Sequence, residues 1–144
     1  MHRTSLLLLV PLLLGVDRHE PDNSFTTASR ARPASHLAGE GPLVLDHLTA
    51  EPGGEDWFHV HVDCCNDVGA EIRWSGGRPL DLQLVDATGA AVTADAAGVQ
   101  FSGSPGRRRI VVPGTGGSWF IRVSNPGARS VTYSLRALAP VYTR

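Results

Sequence analysis

The chain has 144 residues, and once an N-terminal leader is set aside about 120 remain, enough for one domain with a buried core. Thirteen basic residues against fourteen acidic ones put the formal net charge at −1 with both signs interspersed, which excludes a global field favouring nucleic acid or an anionic membrane. Sixteen glycines and ten prolines scattered between short apolar runs disfavour long helices and fit short strands joined by tight turns.

Residues 1–15 read as an export signal. His2 and Arg3 precede an apolar run from Leu6 to Leu14, broken only by Pro11, and these nine residues are too few to span a bilayer. Leu13-Leu14-Gly15 lacks the small residue expected three positions before a cleavage site, so an uncleaved anchor or a mis-assigned start is the alternative. The expectation is a secreted chain, or one held in the periplasm or at the cell-envelope exterior, with no membrane span after the leader is removed. Residues 16–41 lack apolar periodicity and read as a polar N-terminal arm.

Residues 42–140 carry the pattern of an antiparallel β-sandwich, jelly-roll-like, with about eight strands. Leu43, Val44 and Leu45 begin the first, and Pro52-Gly53-Gly54 turns the chain into Trp57–Val62. There Phe58, Val60 and Val62 alternate with Trp57, His59 and His61, so one set faces a core and the other faces out. Ala70, Ile72 and Trp74 follow, then a Gly76-Gly77 turn, then Leu80, Leu82 and Leu84. Asp86-Ala87-Thr88-Gly89 is a turn signal before a weaker strand at Ala91 and Val92. Val99 and Phe101 suggest another short strand, and the last three runs are Arg108–Val112, Trp119–Val123 and Val131–Ala137.

Cys64 and Cys65, the only cysteines, are adjacent and cannot staple distant strands. A vicinal disulfide, a link to a second chain and two exposed thiols in a loop all remain open. His59 and His61 share a strand face with Asp63, but a transition-metal site needs further ligands, and a solvated sheet face explains the pair as well. Gly-x-Ser-x-Gly, His-Glu-x-x-His and Gly-x-x-x-x-Gly-Lys patterns are absent, so no enzyme is expected. Asp46-His47 with Ser102 or Ser104 offers triad residue types without triad geometry. Arg107-Arg108-Arg109 reads as a solvated strand entrance rather than a nucleic-acid site.

Several motifs occur in an order that resembles the bacterial pre-peptidase C-terminal domain, from near Glu20 to Leu138. They are Glu20-Pro21-Asp22-Asn23-Ser24-Phe25 with Ala28, Glu55–Val60 entering a strand, Leu80–Asp86 before Gly89, Gly117–Ser124, and Tyr133-Ser134-Leu135. Asp22-Asn23 reverses the usual Asn-Asp order, and the two cysteines stand where small or polar residues are usual. The resemblance implies a β-sandwich appended to exported enzymes. Through the related collagen-binding domains of secreted bacterial collagenases, it also implies a calcium site at Glu20, Asp22, Asn23, Glu55 and Asp56, since calcium takes six to eight oxygen ligands. A turn cap at Asp22 and Asn23 beside an acidic loop is the plainer explanation.

Alternation leaves Phe120, Arg122 and Arg136 pointing outward. If their two strands pair, they form an aromatic and basic patch suited to an extracellular polymer or a partner protein. Two functions follow as expectations: an exported non-catalytic binding module, or a structural or maturation accessory of a secreted peptidase or other exported enzyme.

Overall fold

The computed structural model describes residues 44–62, 65–114 and 116–138. The leader, the arm with Glu20, Asp22 and Asn23, and also Asp63 and Cys64 lie outside the described residues.

Eight strands are formed: β1 (Val44–Ala50), β2 (Glu55–Val62), β3 (Val68–Trp74), β4 (Asp81–Asp86), β5 (Gln100–Ser104), β6 (Arg107–Val112), β7 (Gly117–Ser124) and β8 (Val131–Ala137). They make a five-stranded sheet in the order β1-β8-β3-β6-β5 and a three-stranded sheet in the order β2-β7-β4, with every pairing antiparallel. The pairs β1–β8, β2–β7 and β3–β6 nest inside one another, as in a jelly roll, and there is no helix among the described residues. The all-β sandwich expected from the period-two pattern is the fold observed.

The reason lies in which side chains each strand turns inward. Phe58, Val60 and Val62 of β2, Leu82 and Leu84 of β4 and Trp119, Ile121 and Val123 of β7 meet Ala70 and Ile72 of β3, Ile110 of β6 and Tyr133 and Leu135 of β8 in one core. Each fully buried Leu, Ile or Val contributes roughly 1.5–3 kcal/mol, so a core of this composition dominates the stability.

Leu45 and Leu48 are both buried although three residues apart, which a regular strand would forbid. The register with β8 slips between them, and His47 adopts a left-handed φ of 59°. This bulge inserts one extra residue and returns Leu48 to the core face; histidine is among the residues that tolerate that conformation.

One connection differs from expectation. Ala91 and Val92 form no strand of their own: Ala91 makes an isolated bridge to Val85, and the Val92 amide donates to the Leu84 carbonyl at 2.8 Å. A single bridge suffices because the Asp86 carboxylate already closes the turn, accepting from the Thr88 amide, the Thr88 hydroxyl and the Ala90 amide. The expected Gly76-Gly77 turn carries the chain from one sheet to the other. Among the described strands only β5 and β6 pair as sequence neighbours. Their turn requires glycine at position 106, where φ is 78° and a Cβ would lie 2.5 Å from the Trp74 carbonyl oxygen.

Asn125 ties one end of the sandwich together. Its side-chain amide donates to the carbonyls of Ala50 and Arg129 at 2.9 and 2.8 Å and accepts from the Gly127 amide at 2.9 Å. Its backbone exchanges hydrogen bonds with Gly53 and Gly54, so the β1–β2 and β7–β8 connections are held by one buried and satisfied residue.

Candidate functional site

The outward face of the three-stranded sheet carries the aromatic residues singled out by alternation, yet it is closed. Trp57, Val85 and Phe120 form a second buried cluster, with Phe120 only 3% exposed. Register places them side by side: Trp57 opposite Arg122 opposite Gln83, and His59 opposite Phe120 opposite Val85. The His59 ring stacks on Phe120 with centroids 4.7 Å apart, and the Arg122 guanidinium lies 5.6 Å from the Trp57 ring centroid. Arg122 also donates to Gln83 Oε1 at 2.8 Å and to Glu55 Oε1, while Trp57 Nε1 donates to Glu55 Oε2 at 3.0 Å. The hydrogen bond from Arg122 holds the Glu55 carboxyl below the ordinary carboxylate value; burial opposes this and the Trp57 hydrogen bond adds to it. These groups are committed to one another.

This arrangement also separates the two described members of the expected calcium set. Glu55 turns outward to Arg122, whereas the neighbouring Asp56 turns into the core and accepts the Tyr133 hydroxyl at 2.6 Å. Adjacent strand residues face opposite ways, so the two carboxylates do not converge on a shared ion. Glu20, Asp22 and Asn23 lie outside the described residues. Among the described residues no three His, Cys, Asp or Glu side chains form a metal-binding group.

The patch of Phe120, Arg122 and Arg136 is corrected by the topology. It required β7 and β8 to pair, but β7 belongs to the three-stranded sheet and β8 to the five-stranded one. Phe120 and Arg122 therefore share one outer face and Arg136 lies on the other, with the core between them.

Arg136 instead belongs to a cluster that the sequence did not disclose. Glu71 sits on β3, the middle strand of the larger sheet, directly opposite Arg136 of β8 on one side and Arg109 of β6 on the other. Two residues further along, on the same face, Arg73 stands opposite Arg107. Glu71 is 5% exposed and both its oxygens are used: Arg73 Nε donates to Oε1 at 2.7 Å, and Arg107 donates to Oε2 from Nε at 2.9 Å and Nη2 at 2.6 Å. Burial pushes the Glu71 carboxyl up, but the hydrogen bonds and charges of Arg107 and Arg73 outweigh it and leave it below the ordinary value.

Arg109 and Arg136 make no ion pair with a carboxylate among the described residues. Asp46, at the β1 bulge, is the other acidic residue on this sheet's strands and is likewise without an ion pair there. The three central strands thus present four outward guanidinium groups around one carboxylate, a local excess of three positive charges. Ser102 lies opposite Arg109, Ser104 opposite Arg107 and Ser134 opposite Arg73, so short hydroxyl side chains keep the face level around the arginines.

Alternation in the sequence puts Arg136 outward and sets Glu71 and Arg73 against Ala70, Ile72 and Trp74, but it does not show what stands beside them. The Arg-x-Arg spacing of Arg107 and Arg109 on a strand was the usable signal, since it puts two guanidinium groups on one face. Strand pairing across 36 residues of sequence, as between Arg107 and Glu71, then decides what that face contains.

His59 and His61 do share an outward face, as expected, with His59 stacked on Phe120. Cys65 carries an exposed free thiol at a left-handed φ of 74°. A cleft of about 520 Å³ opens between the β4 edge and β5–β6; Asp81, Thr93, Arg108 and Ser124 line it, and among the described residues no histidine or cysteine does.

No family model matches the chain, and no curated protein matches it. Among solved structures it is similar to PliG of Aeromonas hydrophila, a periplasmic inhibitor of g-type lysozyme, at 12% identity and a TM-score of 0.51, over 76% of this chain and 95% of that one. It is also similar to the lipase BlEst2 of Bacillus licheniformis in its propeptide form, at 12% identity and a TM-score of 0.46, over 77% of this chain. The chain spans a quarter of that lipase, 25% of its length. At 12% identity the likeness to PliG is one of fold.

Proposed function

We propose that this chain is an exported, non-catalytic binding module that joins a partner protein through the outer face of its five-stranded sheet. The observation that carries the reading is the arginine cluster around Glu71, where Arg109 and Arg136 have no carboxylate of their own among the described residues of a protein of nearly balanced charge. Arginine is enriched where proteins meet, and an ion pair completed across an interface contributes to orientation and rate of encounter. Export is supported by the leader. A non-catalytic role is supported by the uses of Glu55, Glu71 and Asp86, the carboxylates with lowered pKa, each of which holds strands or a turn together. Kinship with pre-peptidase C-terminal domains belongs to the same proposal and rests on the order of motifs along the chain. The fold shared with a periplasmic protein inhibitor favours a protein over a polymer as the partner.

The test is native mass spectrometry of the chain recovered from the exported fraction of its host. The expected result is a complex of two different chains that dissociates when Arg109→Glu and Arg136→Glu are combined. A chain that emerges alone, or a complex indifferent to the charge reversal, overturns the reading. Retention of the same preparation on insoluble collagen, chitin or cellulose would move the contact to a polymer.

A further inference from the structure

We infer that the arginine face recognises an acidic polypeptide segment, whose carboxylates are received by Arg109 and Arg136 on either side of Glu71; this rests on the docking face proposed above. Glu71 shows how the surface treats a carboxylate. Each of its oxygens is met by guanidinium nitrogens at 2.6–2.9 Å, and one of them takes two donors from the same arginine. Arg73 and Arg107 are thereby held in place by an internal acid. Arg109 and Arg136 flank that acid in register on the neighbouring strands. They are two strand spacings apart, roughly 10 Å between backbones, close enough for carboxylates of one short segment to reach both.

The composition of the face selects among anions. Its rim of Ser102, Ser104, Ser134 and Thr132 is hydroxyl-bearing, and the outward residues of β3, β6 and β8 include no aromatic ring. Single-stranded nucleic acid is held by stacking platforms as well as charge, and those platforms are missing from these strands. Length matters too: the excess of three positive charges is confined to the three central strands, with Asp46 on β1 beside them, so a short acidic stretch matches the cluster in extent.

The probe is a fluorescent oligoglutamate peptide, titrated with the full chain and read by anisotropy in about 50 mM salt, where charge screening is weak. Saturable binding is expected for the native chain and for Arg129→Ala, an exposed arginine in the β7–β8 connection. With Arg109→Ala and Arg136→Ala combined, affinity should fall by about tenfold or more, and thermal unfolding of the same sample should show an intact fold. Oligolysine should not bind. The inference is overturned if the double variant binds oligoglutamate as well as the native chain does, if the native chain does not bind it, or if a sulfated polysaccharide or anionic vesicles are preferred to the peptide. A host complex that charge reversal dissociates, together with failure of oligoglutamate to bind, removes the acidic partner and keeps the docking face. Loss of that complex's dependence on Arg109 and Arg136 removes both.

Discussion

On the three-stranded sheet Arg122 is bonded to Glu55 and Gln83 and lies over Trp57, whereas on the five-stranded sheet Arg109 and Arg136 stand beside Glu71 with no carboxylate of their own among the described residues. All three arginines point away from the core between the sheets. What separates them is the neighbour supplied by strand pairing: β2 and β4 bring an acid, an amide and an indole to Arg122, while β3 brings one shared acid to four arginines. An outward side chain on a sheet is therefore either a structural clamp or left unpaired by the described strands, and its partners across the strands decide which.

The comparison is broken most severely on the closed face. Phe120→Ala should destabilise the domain by about 3–5 kcal/mol, the usual cost of removing a buried ring, despite the outward position of Phe120. A urea titration checks this; a change below about 1 kcal/mol would mean that the cluster of Trp57, Val85 and Phe120 is not a packed core.

Between the two sheets, Asn125→Ala should cost about 3 kcal/mol, because the Ala50 and Arg129 carbonyls and the Gly127 amide lose their partner together. Replacement by Asp, which keeps the acceptor for Gly127 but loses the two donors, should also destabilise. The check is equilibrium unfolding of both variants against the native chain.

These two residues also mark the limit of what the sequence discloses. Strand positions follow from period-two alternation, because burial on one face forces it: Phe58 and Val60 alternate with His59, Ile121 and Val123 with Phe120 and Arg122, and all four are core residues. Pairing was not legible, because β7 follows β6 along the chain yet pairs with β2 and β4. Without pairing, Phe120 reads as a surface aromatic and Arg136 as its neighbour, and Asn125 reads as an ordinary turn residue. The bulge at His47 was hidden for the same reason, since it shows only as a slip against β8. Each of these depends on a partner brought from far away in sequence, and periodicity is a local signal.

Glu71 sharpens the comparison by asking what the shared acid does for the open face. Glu71→Gln should cost about 2 kcal/mol near neutral pH, since it removes the charge that holds Arg73 and Arg107 and leaves them repelling each other. The sign with pH follows from the lowered folded-state pKa. The stabilisation is present above the ordinary value of 4.5 and is lost as pH falls through the lower value of the folded state. The native chain should therefore lose stability on acidification below 4.5, and Glu71→Gln should lose less, with Glu55 accounting for part of the remaining loss. Equal acid sensitivity of the two proteins would show that Glu71 does not organise the cluster.

The smallest expected effect is the most informative about the open face. Arg109→Ala and Arg136→Ala should each change unfolding free energy by no more than about 0.5 kcal/mol, because neither residue has an ion pair to lose among the described residues and both leave a cluster of like charges. Combining them should be neutral or slightly stabilising, since two of four neighbouring positive charges disappear while the contacts of Arg73 and Arg107 to Glu71 remain. A surface that becomes no less stable when its charges are deleted holds those charges for something other than folding. A loss above about 1 kcal/mol would instead place Arg109 and Arg136 with Arg122, as clamps of the sandwich itself.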